Sequence, residues 1–218
     1  MTDNWLAVLA LQRLGERAFA GRLAAGMQRY GNNRHGLIEA LSGETISWPP
    51  RTANQRVVQR VGGWEIWTED RLTGDVYQDW AEYADLALYG ALEAHLRGDR
   101  LVARQRYRAA MEMFDGAGFA DKAFRADGRY ATYKLALALY VGRKLGEPVH
   151  DDVLAALLTK QDTESGGFYA MYDVDGIPVN DANTETTAYA LLALQEVGLR
   201  SLIYNSNSVH LIRPVSRQ

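Results

Sequence analysis

QDTESGGFYAMYD, Gln161 to Asp173, and the ETTAYALLAL that follows it, Glu185 to Leu194, decide how this chain folds. Val153, Leu154, Leu157, Leu158 and Gln161 share one face of a 3.6-residue period, so a helix runs into Gln161. A polar turn carrying Gly166 and Gly167 then delivers the aromatic Phe168. A second apolar helix starts near Glu185. Upstream, Tyr130 to Leu145 contains KLALALYV, which alternates like a strand. Its length and its alanine and leucine content predict a helix instead, apolar nearly all round and therefore buried on several sides. Gly146 ends that helix, and Asp151 and Asp152 open the next, where acidic side chains favour the positive end of the helix dipole.

The same grammar occurs at the N-terminus. Shifted by 131 residues, LGERAFAGRLAAGMQRYGNNRHGL from Leu14 lies over LGEPVHDDVLAALLTKQDTESGGF from Leu145 without a gap. Leu14, Gly15, Glu16, Leu23, Ala24, Ala25 and Gly36 match Leu145, Gly146, Glu147, Leu154, Ala155, Ala156 and Gly167. A further pair of helices lies between. The spacing of Trp80, Tyr83, Ala84, Ala87, Leu88, Ala91 and Leu92 predicts a helix from about Asp79, stopped by Gly98. Its partner starts near Asp99, with Ala103, Tyr107, Ala110, Met111 and Phe114 as the buried stripe and Arg100, Arg104 and Arg108 on a solvated face. So short a break makes the two helices antiparallel.

Post-hairpin glycines fall at Gly36, Gly118 and Gly167. The last interval is 49 residues, one hairpin plus its loop, and the first is 82. The excess is an insertion over about 43–73, in which Gly62-Gly63 reads as a β-hairpin turn within residues 56 to 68. An array of this period is a solenoid or a closed toroid. The expected fold is all-α, an incomplete α/α toroid of antiparallel helical hairpins with a small β-hairpin insertion. One domain spans 1–218, and an irregular tail covers 200–218. Such an array exposes the apolar ends of its terminal repeats, so self-association or membership of a longer chain is expected.

Composition bounds the function. The chain is 47% hydrophobic and 23% charged, enough for a core. A net charge of −3 gives no electrostatic case for nucleic acid. There is no cysteine, which excludes disulfides and every zinc site with cysteine ligands. No window of eighteen apolar residues and no basic leader occur, so no membrane span or secretory signal is expected, and a cytoplasmic location is the default. His35, His95, His150 and His210 are scattered, with no H-E-x-x-H, no G-x-S-x-G and no phosphate-binding glycine loop. Asp173-Val174-Asp175-Gly176 starts like a calcium loop, but Pro178 and Thr184 stand where an EF-hand needs glycine and glutamate. No cofactor and no metal are expected.

With this repeat in view, the chain resembles the α/α-toroid superfamily of terpenoid cyclases and protein prenyltransferases. The residues that carry the resemblance are Gln161, Gly166, Gly167 and Phe168, then Thr186, Thr187, Ala188 and the run Tyr189 to Leu194. Gln161 to Gly166 is one residue longer than the Gln-x-x-x-Gly-aromatic element that joins outer and inner helices in triterpene cyclases. The resemblance covers residues 79 to 198 and, more loosely, the N-terminal repeat. It implies the architecture better than the reaction. Class II cyclases carry an Asp-x-Asp-Asp acid motif, and Asp173-Val174-Asp175-Gly176 lacks its last acid. Prenyltransferases use an Asp/Cys/His zinc site, and this chain lacks cysteine. A full toroid has six hairpins against three and a half here. The chain is similar also to the six-hairpin (α/α)6 barrels of glycoside hydrolases and polysaccharide lyases, and it looks like prokaryotic toroid proteins for which no reaction is implied.

In a toroid the loops entering the inner helices gather at one mouth. A mouth of aromatics and carboxylates suits a sugar, because rings stack on sugar faces and carboxylates act as acid and base. The candidate catalytic residues are Asp79 or Asp85 with Glu185. The candidate substrate-binding residues are Trp67, Glu69, Tyr83, Tyr133, Phe168, Tyr172, Asp173 and Asn183. Each has a plainer reading. Asp79 and Asn183 stand at helix N-caps, Asp173 and Asp175 are turn residues, Tyr83 lies on the apolar stripe, and Asp85 occupies a solvated flank. Three functions follow: a carbohydrate-active hydrolase or lyase, a terpenoid-cyclase-like protein with an apolar ligand, or a non-catalytic interaction scaffold.

Overall fold

The computed structural model describes residues 2–28, 36–52, 54–70 and 74–198, and the expected tail over 200–218 lies outside them. The chain is mostly helical, with one small β insertion. Its helices are α1 (Thr2–Leu14), α2 (Arg17–Gln28), α3 (Ala84–Leu96), α4 (Arg100–Met111), α5 (Lys122–Asp127), α6 (Thr132–Leu145), α7 (Asp151–Leu158) and α8 (Thr184–Glu196). Strands β1 (Asn54–Val61) and β2 (Trp64–Asp70) form an antiparallel hairpin. Its turn residues Gly62 and Gly63 have φ of 54° and 84°, the left-handed pair that a tight hairpin turn of this hand requires.

The 131-residue echo is a structural repeat. α1 ends at Leu14 and α6 at Leu145, each followed by a glycine of positive φ, Gly15 at 92° and Gly146 at 77°. α2 and α7 then follow as their partners. Residues 29–35, part of the echoed loop, lie outside the described residues.

Four helices form a buried layer: α3 packs on α6, α6 on α8, and α8 on α1. Three of them point the same way, because their C-terminal ends meet. Lys144 of α6 binds Glu196 of α8 at 2.5 Å, and Gln195 of α8 donates to the Arg13 carbonyl of α1 at 2.6 Å. α4, α7 and α2 pack on α3, α6 and α1 from outside. The Ala/Leu pattern of α6 explains its place. Every residue from Lys134 through Gly142 is buried, as a helix with neighbours on all sides demands. Small residues set the spacing: a Cβ on Gly142 would lie 2.4 Å from the Tyr107 hydroxyl of α4, so the hairpins close tightly only with glycine there.

The central helix starts later than its apolar spacing predicts. Trp80–Glu82 is a 3-10 turn and α3 begins at Ala84, so Tyr83 is the residue before the helix and not part of its stripe. Similarly, Tyr130 is not helical. Tyr130 and Ala131 form strand β3, which pairs with β5 (Met171–Tyr172), while β4 (Phe168–Tyr169) pairs with β6 (Ala182–Asn183). These two-residue pairs lace the loops at the start of α6 and α8. An ion pair between α3 and α4 presents its arginine to Trp48 of the insertion. Buried Glu93 meets Arg106 at 3.4 Å, and the Arg106 guanidinium stands 5.4 Å from the rings of both Trp48 and Trp80.

Candidate functional site

The N-terminal ends of α3 and α6 meet in a polar cluster that a local reading of sequence does not reveal. Asp121, fully buried, is the N-cap of α5, where its Oδ1 accepts from the Ala123 and Phe124 amides. Its Oδ2 accepts from the Ala84 amide at the first turn of α3 at 2.9 Å and from Lys134 Nζ at 2.5 Å. One carboxylate thus fastens three helices. Lys134, 4% exposed, has its shortest ion pair here, which offsets the cost of burying its charge.

Lys134 Nζ also lies 3.6 Å from Asp85 Oδ1, and Tyr133 donates its hydroxyl to Asp85 Oδ2 at 2.8 Å. Asp85 keeps a side-chain exposure of 20%, so this carboxylate is the part of the pair that solvent reaches. The Tyr133 ring packs on Tyr189 of α8 at 5.4 Å between centroids. Tyr189 and Tyr89 of α3 share a buried hydroxyl–hydroxyl hydrogen bond at 2.5 Å. Burial, then the charge of Asp85 and the bond to it, push the Tyr133 hydroxyl well above its ordinary range, with Tyr189 and Glu185 adding to the shift. Burial and Tyr189 do the same for Tyr89. Both tyrosines are therefore neutral at physiological pH. Next to Tyr133 in the chain, the fully buried Thr132 hydroxyl has no hydrogen-bond partner among the described residues.

Asp85 and Tyr133 are thus brought together from the first turns of two adjacent helices, and Glu185, on the first turn of α8, lies within electrostatic reach of Tyr133. Asp79 is not with them. It pairs with Lys122, which holds its carboxyl below the ordinary value. Tyr83 neighbours that second pair, its ring 5.6 Å from Tyr77 and under the Lys122 ammonium. The Asp79 side chain makes no N-cap bond to its 3-10 turn.

Four other candidates serve the scaffold. Phe168 is 2% exposed, and its amide donates to Thr187 Oγ1 at 3.0 Å, so it anchors the loop to α8 and offers no face to a ligand. Tyr172 is 1% exposed, hydrogen-bonded to the Ala117 carbonyl and covered by the Lys160 ammonium at 4.1 Å. Asp173 Oδ1 accepts from the Asp175 and Ile177 amides, which closes the turn. Asn183 caps α8 by accepting from the Thr186 amide at 2.8 Å. Trp67 and Glu69 lie in β2 opposite Val57 and Gln55, and their side chains fall outside the described residues.

The sequence reading passed over Asp121, Lys134, Tyr89 and Tyr189 as partners. The available signal was the lysine in the otherwise apolar TYKLALALYV, since a lysine at such a position must meet a carboxylate. Among the described residues no group of three or more histidine, aspartate or glutamate side chains is placed to hold a metal ion. No helix among them is long and apolar enough to cross a membrane. Comparison with protein-family models, curated proteins and solved structures returns no match.

Proposed function

We propose that the hairpins form an incomplete α/α toroid and that its mouth, at the first turns of α3, α6 and α8, binds a carbohydrate. The observation that carries this reading is Asp85, a partly exposed carboxylate held from two sides by Tyr133 and Lys134, with Glu185 within electrostatic reach of the same tyrosine. Tyrosine rings and fixed carboxylates are what a sugar's faces and hydroxyls bind. In a glycosidase or lyase role, Asp85 and Glu185 would be the acid–base pair across the scissile bond.

The test is a panel of neutral and uronic-acid oligosaccharides, read by calorimetric binding and by product release. Saturable binding that Asp85→Asn weakens at least about tenfold supports the site. Product release lost by about 100-fold or more in both Asp85→Asn and Glu185→Gln supports catalysis. No binding across the panel, or binding untouched by Asp85→Asn, overturns the reading.

A second reading, the non-catalytic scaffold, is favoured by one specific observation. The Tyr89–Tyr189 bond fills the space between α3 and α8 with protein groups. On that reading Asp85→Asn changes stability alone.

A further inference from the structure

We propose that this chain associates head to tail with a second copy of itself, the turn between β5 and β6 of one molecule docking on the outer face of α4 of the next. The turn, residues 173–181, is the first half of the contact. Val174, Ile177 and Val179 are 61, 59 and 40% exposed, large apolar side chains crowded into one short stretch. They stand on a closed turn. Asp173 Oδ1 accepts from the Asp175 and Ile177 amides, and the Asp173 amide donates to the Ile177 carbonyl at 3.0 Å. Buried Lys160 donates its ammonium to the Gly176 carbonyl at 3.0 Å. A patch fixed in this way loses little entropy on docking. Its charge has one sign, since Asp173, Asp175 and Asp181 are the ionisable residues from 173 to 183. Asp175 and Asp181 are exposed, and neither has an ion-pair partner among the described residues.

The second half is α4. Leu101 is 70% exposed, and at about 100° per residue Arg100, Leu101, Arg104 and Arg108 share one outer sector of the helix. Arg104 is matched by Glu147 at 3.1 Å. Arg100 and Arg108 have no ion-pair partner among the described residues. An apolar side chain among arginines complements apolar side chains among aspartates. Pairing either patch with its own copy about a two-fold axis sets like charges face to face, so the contact is heterologous.

The two patches lie at opposite ends of the buried helix layer. β3 leads into α6 and pairs with β5 through Tyr130 and Tyr172, so the turn stands at the N-terminal end of α6. Asp121 gathers the start of α3 to the same end. From there α3 runs about 18 Å to Leu96, and Gly98 reverses the chain into Arg100 and Leu101. The Arg104–Glu147 pair fixes that start of α4 beside the C-terminal end of α6. The turn is thus out of reach of its own molecule's Arg100 and Leu101, and a second copy supplies them. Repeated, the contact builds an open row of molecules.

The absence of cysteine makes the contact easy to address. Asn180→Cys beside the turn and, in a separate full chain, Gln105→Cys beside Leu101 change exposed side chains that the contact does not need. The two chains are mixed and treated with a short bis-maleimide. Links from 180 to 105 should outnumber 180–180 and 105–105 links at least about tenfold, and Ile177→Asp in the Asn180→Cys chain should remove the excess. A second arm follows the mass of the unaltered chain by sedimentation from about 10 μM to 1 mM. The mass should rise with concentration past the dimer. Ile177→Asp, or Arg100→Glu with Arg108→Glu, should move that rise to at least about tenfold higher concentration, with the melting temperature kept because all three positions are exposed. A single-chain mass across the whole range overturns the proposal, as does a rise that these variants leave unchanged. Links mainly from 180 to 180, or a mass that stops at the dimer, also overturn it and assign the contact to a two-fold pair.

Discussion

α1 and α6 are built to one pattern and occupy different surroundings. Their ends coincide under the 131-residue shift, and Leu6 and Leu137, which correspond, are both fully buried. Beyond that they part. α6 is enclosed from Lys134 to Gly142, while α1 leaves Ala7, Leu11, Gln12 and Arg13 partly or fully exposed. Where α6 carries Tyr133 and Lys134, α1 carries Thr2 and Asp3. The repeat preserves how helices stop and dock. The polar cluster's Tyr133 and Lys134 occur in one copy and not the other, which makes it a local feature of the α3–α6 end.

The largest expected effect tests that claim. Asp121→Ala takes the 2.5 Å partner from buried Lys134, leaving it only Asp85 at 3.6 Å, and frees the Ala84, Ala123 and Phe124 amides, so urea denaturation should show a loss of about 3–5 kcal/mol. Arg13→Ala at the end of α1 removes only a 3.9 Å exposed pair and should cost under about 1 kcal/mol. Equal costs would break the contrast. The second test is alkaline. Burial, with Glu147, pushes the Tyr107 hydroxyl against α6 from 10.0 to about 12. Its folded pKa is raised, so its contribution is complete below pH 10 and lost as pH rises through 12, about 2–3 kcal/mol in all. Tyr107→Phe should make that limb of the stability profile less steep, with Tyr130 and Tyr140, also raised to about 12 by burial, among the groups that supply the rest. A smaller, paired test is overpacking: Ala138→Leu in α6 should cost about 1–3 kcal/mol, and the matching Ala7→Leu in α1 close to nothing. The smallest is Thr132→Val, which replaces the unpartnered hydroxyl with a methyl and should be neutral or gain up to about 1 kcal/mol in melting experiments. A clear loss would mean that the hydroxyl has a partner.

What could be read from sequence was local. Gly98 and Gly146 as helix stops, Gly62-Gly63 as a turn and the helical character of KLALALYV all follow from a residue and its near neighbours. The start of α3 was misjudged because Trp80 and Tyr83 fit the apolar spacing while a 3-10 turn takes up Trp80–Glu82. The cluster was illegible for a different reason. Lys134 finds Asp121 across 13 positions, Tyr133 finds Asp85 across 48 and Tyr89 finds Tyr189 across 100, and no period in the chain marks such pairs. Asp85, Tyr133 and Glu185 were reached by analogy with a toroid mouth. Their geometry depends on lysine and tyrosine partners that the analogy did not supply.

The seating of α1 on α8 has a consequence for biosynthesis. Gln195 closes onto the Arg13 carbonyl across 182 positions, so α1 leaves the ribosome long before the neighbour that closes on it. At about 5–20 residues per second the ribosome needs roughly 10–40 s to supply it. Through that interval α1, whose Leu6, Val8, Leu9 and Ala10 are buried in the finished molecule, lacks α8 as a neighbour. Until α8 arrives, α1 has α2 and the 3-10 turn Gly36–Ser42 to rest on and keeps its α8-facing side open, the kind of surface that chaperones hold.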